Sequence, residues 1–168
     1  MKPRGKSAGQ TVALCGALLA LALILSYVEA LVPFLVAVPG IKMGLANVVA
    51  VFALYRLRWP AAWGISLLRV VLVAMLFGHF MTLAYSISGA VASLLVMMAL
   101  KKNGKFGCAG VSIGGGVAHN LGQILCAVWL LGTRQILYYV PVLLVTGTAA
   151  GLVIGLLAGL VLVRLKEA

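Results

Sequence analysis

The sequence contains no aspartate, and its only acidic residues are Glu29 and Glu167. Carboxylate dyads, and aspartate-rich sites that hold Mg²⁺, require several acidic side chains close together. The lack of such side chains excludes most hydrolytic and phosphoryl-transfer chemistry. We therefore predict that the chain is not an enzyme and that it holds no metal ion or other cofactor.

Other functional motifs are missing as well. The three cysteines, Cys15, Cys108 and Cys126, lie in apolar stretches without a CxxC or Cys/His spacing. This pattern argues against a disulfide framework and against a metal site. The sequence also has no Walker motif, so active transport by this chain would draw its energy from another subunit or from an ion gradient.

Apolar residues, in contrast, are abundant. They make up 64% of the 168 residues, only 9% are charged, and the mean hydropathy is +1.21. These values are typical of a membrane protein, in which a spanning helix takes ~20 residues. We predict an all-α integral membrane protein whose single domain, residues 1–168, is a compact bundle of about six transmembrane helices. The predicted spans are 11–33, 41–57, 59–77, 80–100, 106–131 and 136–163.

The first span has an alternative interpretation. A basic N-terminus followed by an uncharged run resembles a secretory signal peptide, with Val28-Glu29-Ala30 as its cleavage site. The run is long for the apolar segment of a signal peptide, and apolar sequence continues past Glu29. We therefore favour a first transmembrane helix that ends at about Pro33.

The positive charges predict the orientation of the bundle in the membrane. The formal net charge is +11, and the Lys and Arg residues form short clusters between apolar runs. This is typical of membrane topology and not of a nucleic-acid-binding face. With six crossings and the N-terminus inside, ten of these residues are cytoplasmic, Lys42 and Arg134 are outside, and Arg69 is within the membrane. We predict a multi-pass protein of the cell membrane with both termini in the cytoplasm.

Small residues at intervals of four predict how the last two helices pack. Such rows let helix backbones approach closely in lipid. We expect the rows to meet in a contact between the fifth and sixth helices, and docking onto another subunit is the alternative. The rows are Gly110, Gly114, Ala118 and Gly122 in the fifth helix, and Gly147, Gly151, Gly155 and Gly159 in the sixth.

Arg69 places a permanent cation near the middle of the membrane. It lies ten residues after Trp59 in the third helix, which is about 15 Å along a helix axis. A cation at that depth requires a partner. Glu29 is the only acidic residue outside the C-terminal tail. An Arg69–Glu29 ion pair is therefore one interpretation, contact with a substrate is the other, and the two do not exclude each other.

Further polar side chains complete the candidate site. In the fifth helix, His119 and Gln123 lie one turn apart beside Gly115, and they either form interhelical hydrogen bonds or contact a ligand. Lys42 and His79 lie toward the outer face, where each is either solvated or in contact with a ligand. The set suits an anionic or strongly polar small molecule that enters from outside. Its members are Lys42, Asn47, Arg69, His79, His119, Asn120 and Gln123, with Glu29 as the candidate ion-pair partner.

Four segments carry a resemblance to a known family. They are PGIKMGLAN at 39–47, SLLR at 66–69, GGGVAHNLGQ at 114–123 and YYVP at 138–141. With these segments the chain resembles, over essentially its whole length, the family called heptaprenyl diphosphate synthase component I, also named the Gx transporter family.

That family is similar in size and helix count to the substrate-binding (S) components of energy-coupling-factor importers. The resemblance implies a bundle of six helices that binds a vitamin or related small molecule from outside. It also implies docking onto a transmembrane coupling protein that carries two ATPases. The docking surface would use small residues of the first helix, where Ala13 and Ala17 match the AxxxA pattern.

Two functional hypotheses follow. The leading one is a substrate-binding subunit of an energy-coupling-factor-like importer. The alternative is a non-catalytic membrane accessory component of heptaprenyl diphosphate synthase, in isoprenoid or quinone metabolism. The catalytic subunits of such synthases use aspartate-rich motifs to hold Mg²⁺-diphosphate, and this chain has no aspartate. The expected partners are the lipid bilayer, the coupling protein with its ATPases and a small-molecule ligand, and not nucleic acid.

Overall fold

The computed structural model describes residues 8–31, 44–77 and 80–167. Within these ranges the chain consists of helices and short connections, and the predicted all-α class with six α-helices is confirmed. The helices are α1 (Ala8–Leu31), α2 (Asn47–Arg56), α3 (Trp59–Phe77), α4 (Phe80–Asn103), α5 (Cys108–Leu131) and α6 (Val140–Glu167), with a 3-10 helix at Arg134–Tyr139 before α6.

Local sequence explains several helix ends. Pro60 and Pro141 lie in the first turns of α3 and α6, where a missing backbone N–H costs no helical hydrogen bond. Gly132 follows α5 with φ +63°, and its N–H donates to the Val128 carbonyl at 3.0 Å. Glycine adopts this left-handed conformation without strain, so the helix ends there and the chain turns into the 3-10 helix.

Five of the described helical segments are long and apolar enough to cross a membrane. They are α1, α3, α4, α5 and the segment that runs from the 3-10 helix through α6. The 24 residues of α1 give a length of about 36 Å, which exceeds the ~30 Å hydrocarbon core. The chain is therefore a multi-pass membrane protein.

The second helix is shorter than predicted. Instead of 41–57, α2 covers ten residues, which is about 15 Å or half of the hydrocarbon thickness. Gly44 has φ +70°, which a continuous helix cannot contain, and its carbonyl accepts the Asn47 N–H at 2.7 Å in a turn. The predicted helical start was thus wrong for residues 44–46. Residues 32–33 and 41–43 of the predicted spans lie outside the described residues.

The short α2 lies at the centre of the core. Every residue from Val49 to Leu54 is buried, and the helix contacts α1, α3 and α6. Apolar side chains from the other helices complete this core, among them Leu18, Ala62, Ile65, Leu94, Met97, Val111, Ile154 and Ala158.

Two hydrogen bonds bring the basic segments together at one end of the bundle. The Arg56 side chain donates to the Leu165 carbonyl at 3.5 Å, so the last turns of α2 and α6 lie side by side. The Lys101 ammonium donates to the Leu54 carbonyl and lies 4.8 Å from the centre of the Tyr55 ring. The ends of α2, α4 and α6 therefore meet, as the positive-charge pattern requires. Which side of the membrane this basic end faces stays a prediction.

Three members of the glycine row of α6 pack against α5, as predicted, whereas a Cβ on Gly159 would meet nothing within 4 Å in the described structure. Gly147 lies against Gly116, and a Cβ on Gly151 would lie 2.7 Å from Ile113 Cα. A Cβ on Gly155 would lie 2.6 Å from Ala109 Cα. Only glycine permits this approach, so the contact depends on the row itself.

The glycine row of α5 faces the other way. Gly114 packs against Leu100, and a Cβ on Gly122 would lie 2.8 Å from the Ser88 carbonyl oxygen, so the row faces α4 and not α6. The expectation that the two rows meet was therefore wrong for α5. Because α5 packs against α4 on one side and α6 on the other, it needs small residues on both faces. Gly116, two residues and about half a turn from Gly114, belongs to the second face.

Candidate ligand-binding site

A cavity of about 700 Å³ occupies the half of the bundle away from the basic end. Residues of all six α-helices and of the 3-10 helix line it. The described candidates from the sequence all contribute to this lining: Glu29, Asn47, Arg69, His119, Asn120 and Gln123. The structure thus brings together side chains that lie up to 94 residues apart in the chain (123 − 29 = 94).

Arg69 reaches the cavity from α3, and its guanidinium is held by two side chains. One nitrogen donates to Ser26 Oγ at 3.4 Å and the other to Asn47 Oδ1 at 3.3 Å. Both bonds are long, and a guanidinium has five N–H groups. Arg69 therefore keeps donors for a further acceptor in the cavity.

Glu29 reaches the cavity from α1 and is tied to the start of α2. Its Oε1 accepts the Gly44 N–H at 2.5 Å. Among the described residues no direct salt bridge joins Glu29 to Arg69, although the two charges attract each other at longer range. The structure connects them indirectly, since Gly44 bonds to both Glu29 and Asn47, and Asn47 accepts from Arg69.

His119 and Gln123 lie on the face of α5 that points toward α4. A Cβ on Gly89 would lie 2.8 Å from Gln123 Cγ and 3.0 Å from the His119 ring, so only glycine at 89 leaves room for both side chains. The imidazole therefore packs directly against Gly89. These contacts fix the position of the ring at the cavity wall.

Asn120 has a clear structural role. Its Nδ2 donates to the Leu143 carbonyl at 2.8 Å, which joins α5 to the first turns of α6. The same atom lies 2.9 Å from the point where a Cβ on Gly147 would be. Asn120 therefore bridges two helices while its side chain borders the cavity.

Sequence reasoning missed several polar residues of the lining. They lie in apolar helices, where a hydroxyl at helical spacing is the available signal: Thr82 and Ser86 of α4 are four residues apart. The missed polar residues of the lining are Ser26, Thr82, Tyr85, Ser86, Tyr139 and Thr146.

Two predicted binding residues and the two predicted docking residues remain to be placed. Lys42 and His79 lie outside the described residues, so their binding role stays a prediction. Ala13 and Ala17 are exposed on α1, and its buried residues are Leu18, Ala22 and Ser26.

The absence of a metal ion was predicted for the whole chain and stays a prediction. Within the described ranges, no group of three or more His, Cys, Asp or Glu side chains is placed to hold a metal ion.

Fold and site define a helical membrane protein with a polar cavity in one half of its bundle. The chain belongs to the heptaprenyl diphosphate synthase component I family, whose sequence profile matches residues 18–161. The matched range contains every residue of the candidate site. No curated protein and no solved structure gives a match.

Proposed function

We propose that this protein is the substrate-binding membrane subunit of an energy-coupling-factor-like importer, and that it takes up a small anionic or polar metabolite through the cell membrane. The observation that carries the proposal is the cavity of about 700 Å³ with its polar lining. Polar and charged groups at membrane depth are costly and mark ligand pathways. A cavity of this size is in the range that small-molecule sites occupy.

In this proposal Arg69 is the main anchor for the substrate. Its spare N–H donors suit a carboxylate or phosphate oxygen, and His119 and Gln123 supply further hydrogen-bonding groups in the same lining. Asn47 orients the guanidinium through its 3.3 Å hydrogen bond. Lys42 and His79 are assigned to the outer mouth of the site.

The energy for uptake comes from partner subunits in this proposal. The exposed face of α1 carries Ala13, Gly16, Ala17 and Ala20. A Cβ on Gly16 would meet nothing within 4 Å among the described residues. A smooth face of small residues allows another transmembrane helix to approach closely. We assign it to a transmembrane coupling protein that carries the ATPases.

The second candidate function is a non-catalytic accessory component of heptaprenyl diphosphate synthase in the membrane. The family name favours it, and the Arg69 donors would also suit a diphosphate. The chain would then anchor a soluble synthase or handle its lipid product. The basic end at Arg56 and Lys101 is the surface on which an acidic partner would bind.

Purification from native membranes separates these two functions. The full chain is tagged, extracted in mild detergent, and its co-purifying proteins are identified by mass spectrometry. Recovery of ATPase subunits with a membrane coupling protein supports the importer. Recovery of a soluble prenyl synthase without ATPases contradicts the importer and supports the alternative. A strain that expresses the tag on an unrelated membrane protein controls for non-specific recovery.

A further inference from the structure

The described residues that line the cavity include one Arg and one Glu. Of the described residues that line it, Arg69 is the only Lys or Arg, and Glu29 is the only acidic residue. The other polar groups of this lining, among them His119, Asn47 and Gln123, are hydrogen-bonding side chains of other kinds. The described lining is therefore balanced in formal Lys, Arg, Asp and Glu charge.

Arg69 and Glu29 do not neutralise each other by direct contact in the described structure. Within the described ranges they form no direct salt bridge, and each has incomplete contacts of its own. Two long hydrogen bonds occupy part of the guanidinium. The Gly44 N–H occupies one carboxylate oxygen, whereas a carboxylate accepts about four hydrogen bonds. Both groups therefore have capacity for a further partner inside the cavity.

The energetics favour a ligand that pairs with both groups. A charge without a close partner is costly in a low-dielectric interior. An anion bound at Arg69 alone would leave Glu29 without a charged partner among the described residues and would be repelled by it. A cation bound at Glu29 alone would likewise leave Arg69 without a charged partner among the described residues and would be repelled by it. A molecule that carries both charges compensates both residues at once.

We propose that the cavity binds a zwitterion, with an anionic group at Arg69 and an ammonium-type group at Glu29. The inference rests on the proposed binding function of the cavity and narrows its substrate class. His119 and Gln123 face the polar atoms between the two charged groups. Glu29 is then a direct ligand contact, and Gly44 holds its carboxylate toward the cavity.

The first test identifies what the protein retains. Detergent-purified full-length protein is incubated with a polar small-molecule extract of cells, washed, and analysed by mass spectrometry. We expect the retained compounds to carry both an anionic and an ammonium-type group at neutral pH. Retention of compounds with only one kind of charge, of neutral compounds, or of nothing above the level of Arg69→Gln protein contradicts the proposal.

The second test modifies the retained compound. Acylation of its amine leaves an anion, and esterification of its acid leaves a cation. The affinities of the parent compound and of these two derivatives for the unmodified protein are then compared. We expect each derivative to bind about 10- to 100-fold more weakly than the parent, because each loses one charge-assisted contact. Equal binding of the acylated derivative would show that Glu29 does not contact the ligand.

Glu29→Gln is the matched variant, because a glutamine oxygen still accepts the Gly44 N–H. It should weaken binding of the parent compound about 10- to 100-fold. It should not weaken binding of the acylated derivative, because this anion is no longer repelled by the Glu29 carboxylate. Glu167→Gln, in the C-terminal tail, is the matched control for the loss of one negative charge. Because recovery of ATPase subunits does not depend on ligand charge, the importer proposal survives if this inference fails.

Discussion

The two halves of the bundle differ in what fills them. Toward the basic end, the buried α2 and its apolar neighbours close the space between the helices. The cavity begins where α2 begins, at Asn47, and fills the other half. The comparison shows that a short helix can fill one half of a bundle and leave a cavity in the other half. One half provides packing, and the other half is free to carry the costly polar groups.

The largest expected effect concerns which half faces the cytoplasm. A reporter that is active only in the cytoplasm, fused after Ala168, should give full activity, because the positive-inside rule predicts that the basic end faces the cytoplasm. A second fusion at the same position, with a reporter that is active only outside the cytoplasm, should be silent. Activity of the exported reporter alone would place the basic end outside and would reverse the proposed direction of ligand entry.

The next largest effect is expected at the contact between α5 and α6. Gly155→Leu should lower the free energy of unfolding by about 3 kcal/mol or more, because the side chain would overlap Ala109 and Ser112. Gly159→Leu is the matched control, since a Cβ there meets nothing within 4 Å in the described structure. Thermal unfolding in detergent measures both. Equal losses would show that the row acts through helix propensity and not through close contact.

Arg69 tests the polar half. Arg69→Gln should abolish retention of the small molecule, with a loss of at least about 100-fold, in protein that still folds. Arg69→Lys should rescue binding poorly, because a point charge does not reproduce the planar two-donor fork.

The ion-pair interpretation predicts a different pattern for the same residue. If Arg69 only neutralises Glu29, Glu29→Gln should destabilise the fold by roughly 3–5 kcal/mol and the double variant Glu29→Gln/Arg69→Gln should restore much of it. Ligand binding would then be indifferent to the double change. That outcome would remove Arg69 from the site.

Gly44 joins the two halves. Gly44→Ala should cost about 1–2 kcal/mol of stability because of its positive φ, and it should also weaken binding, because the added Cβ would lie 2.9 Å from Asn47 Nδ2. Gly104→Ala has a similar φ of +72° but no described neighbour within 4 Å of its Cβ, so it should show the stability cost alone. Unchanged ligand binding by Gly44→Ala would show that the turn does not position Asn47.

The smallest effect on stability is expected on the exposed face of α1. Ala13→Leu and Ala17→Leu should change the unfolding free energy by less than about 0.5 kcal/mol, because both positions are exposed. They should reduce recovery of the coupling protein and leave ligand binding intact. Val12→Leu, at an exposed neighbouring position, is the control. Equal loss of partner recovery and ligand binding, or no loss of either, would count against this docking surface.

Some of this organisation was predictable from the sequence. Arg69 and His119 could be identified because a polar side chain in an apolar membrane helix is costly and therefore indicates a function. Both line the cavity. The bond between Glu29 and Gly44 was not predictable, because it depends on a left-handed turn in a segment whose apolar pattern also fits a helix. The faces of α5 were ambiguous for a similar reason, since glycines occur on both sides of that helix. Ser26 gave only the weak signal of a single hydroxyl.

The double glycine faces of α5 also have a mechanical consequence. A helix in backbone contact on two sides has little room to shift or rotate. We therefore expect α5, which carries His119, Asn120 and Gln123, to keep its position. In α1, by contrast, one face is exposed, and Glu29 lies near its end. If the cavity changes shape when it fills or empties, we expect α1 to be the helix that moves, and Glu29 would move with it. The proposed ligand contact and the proposed docking face would then be coupled through one helix.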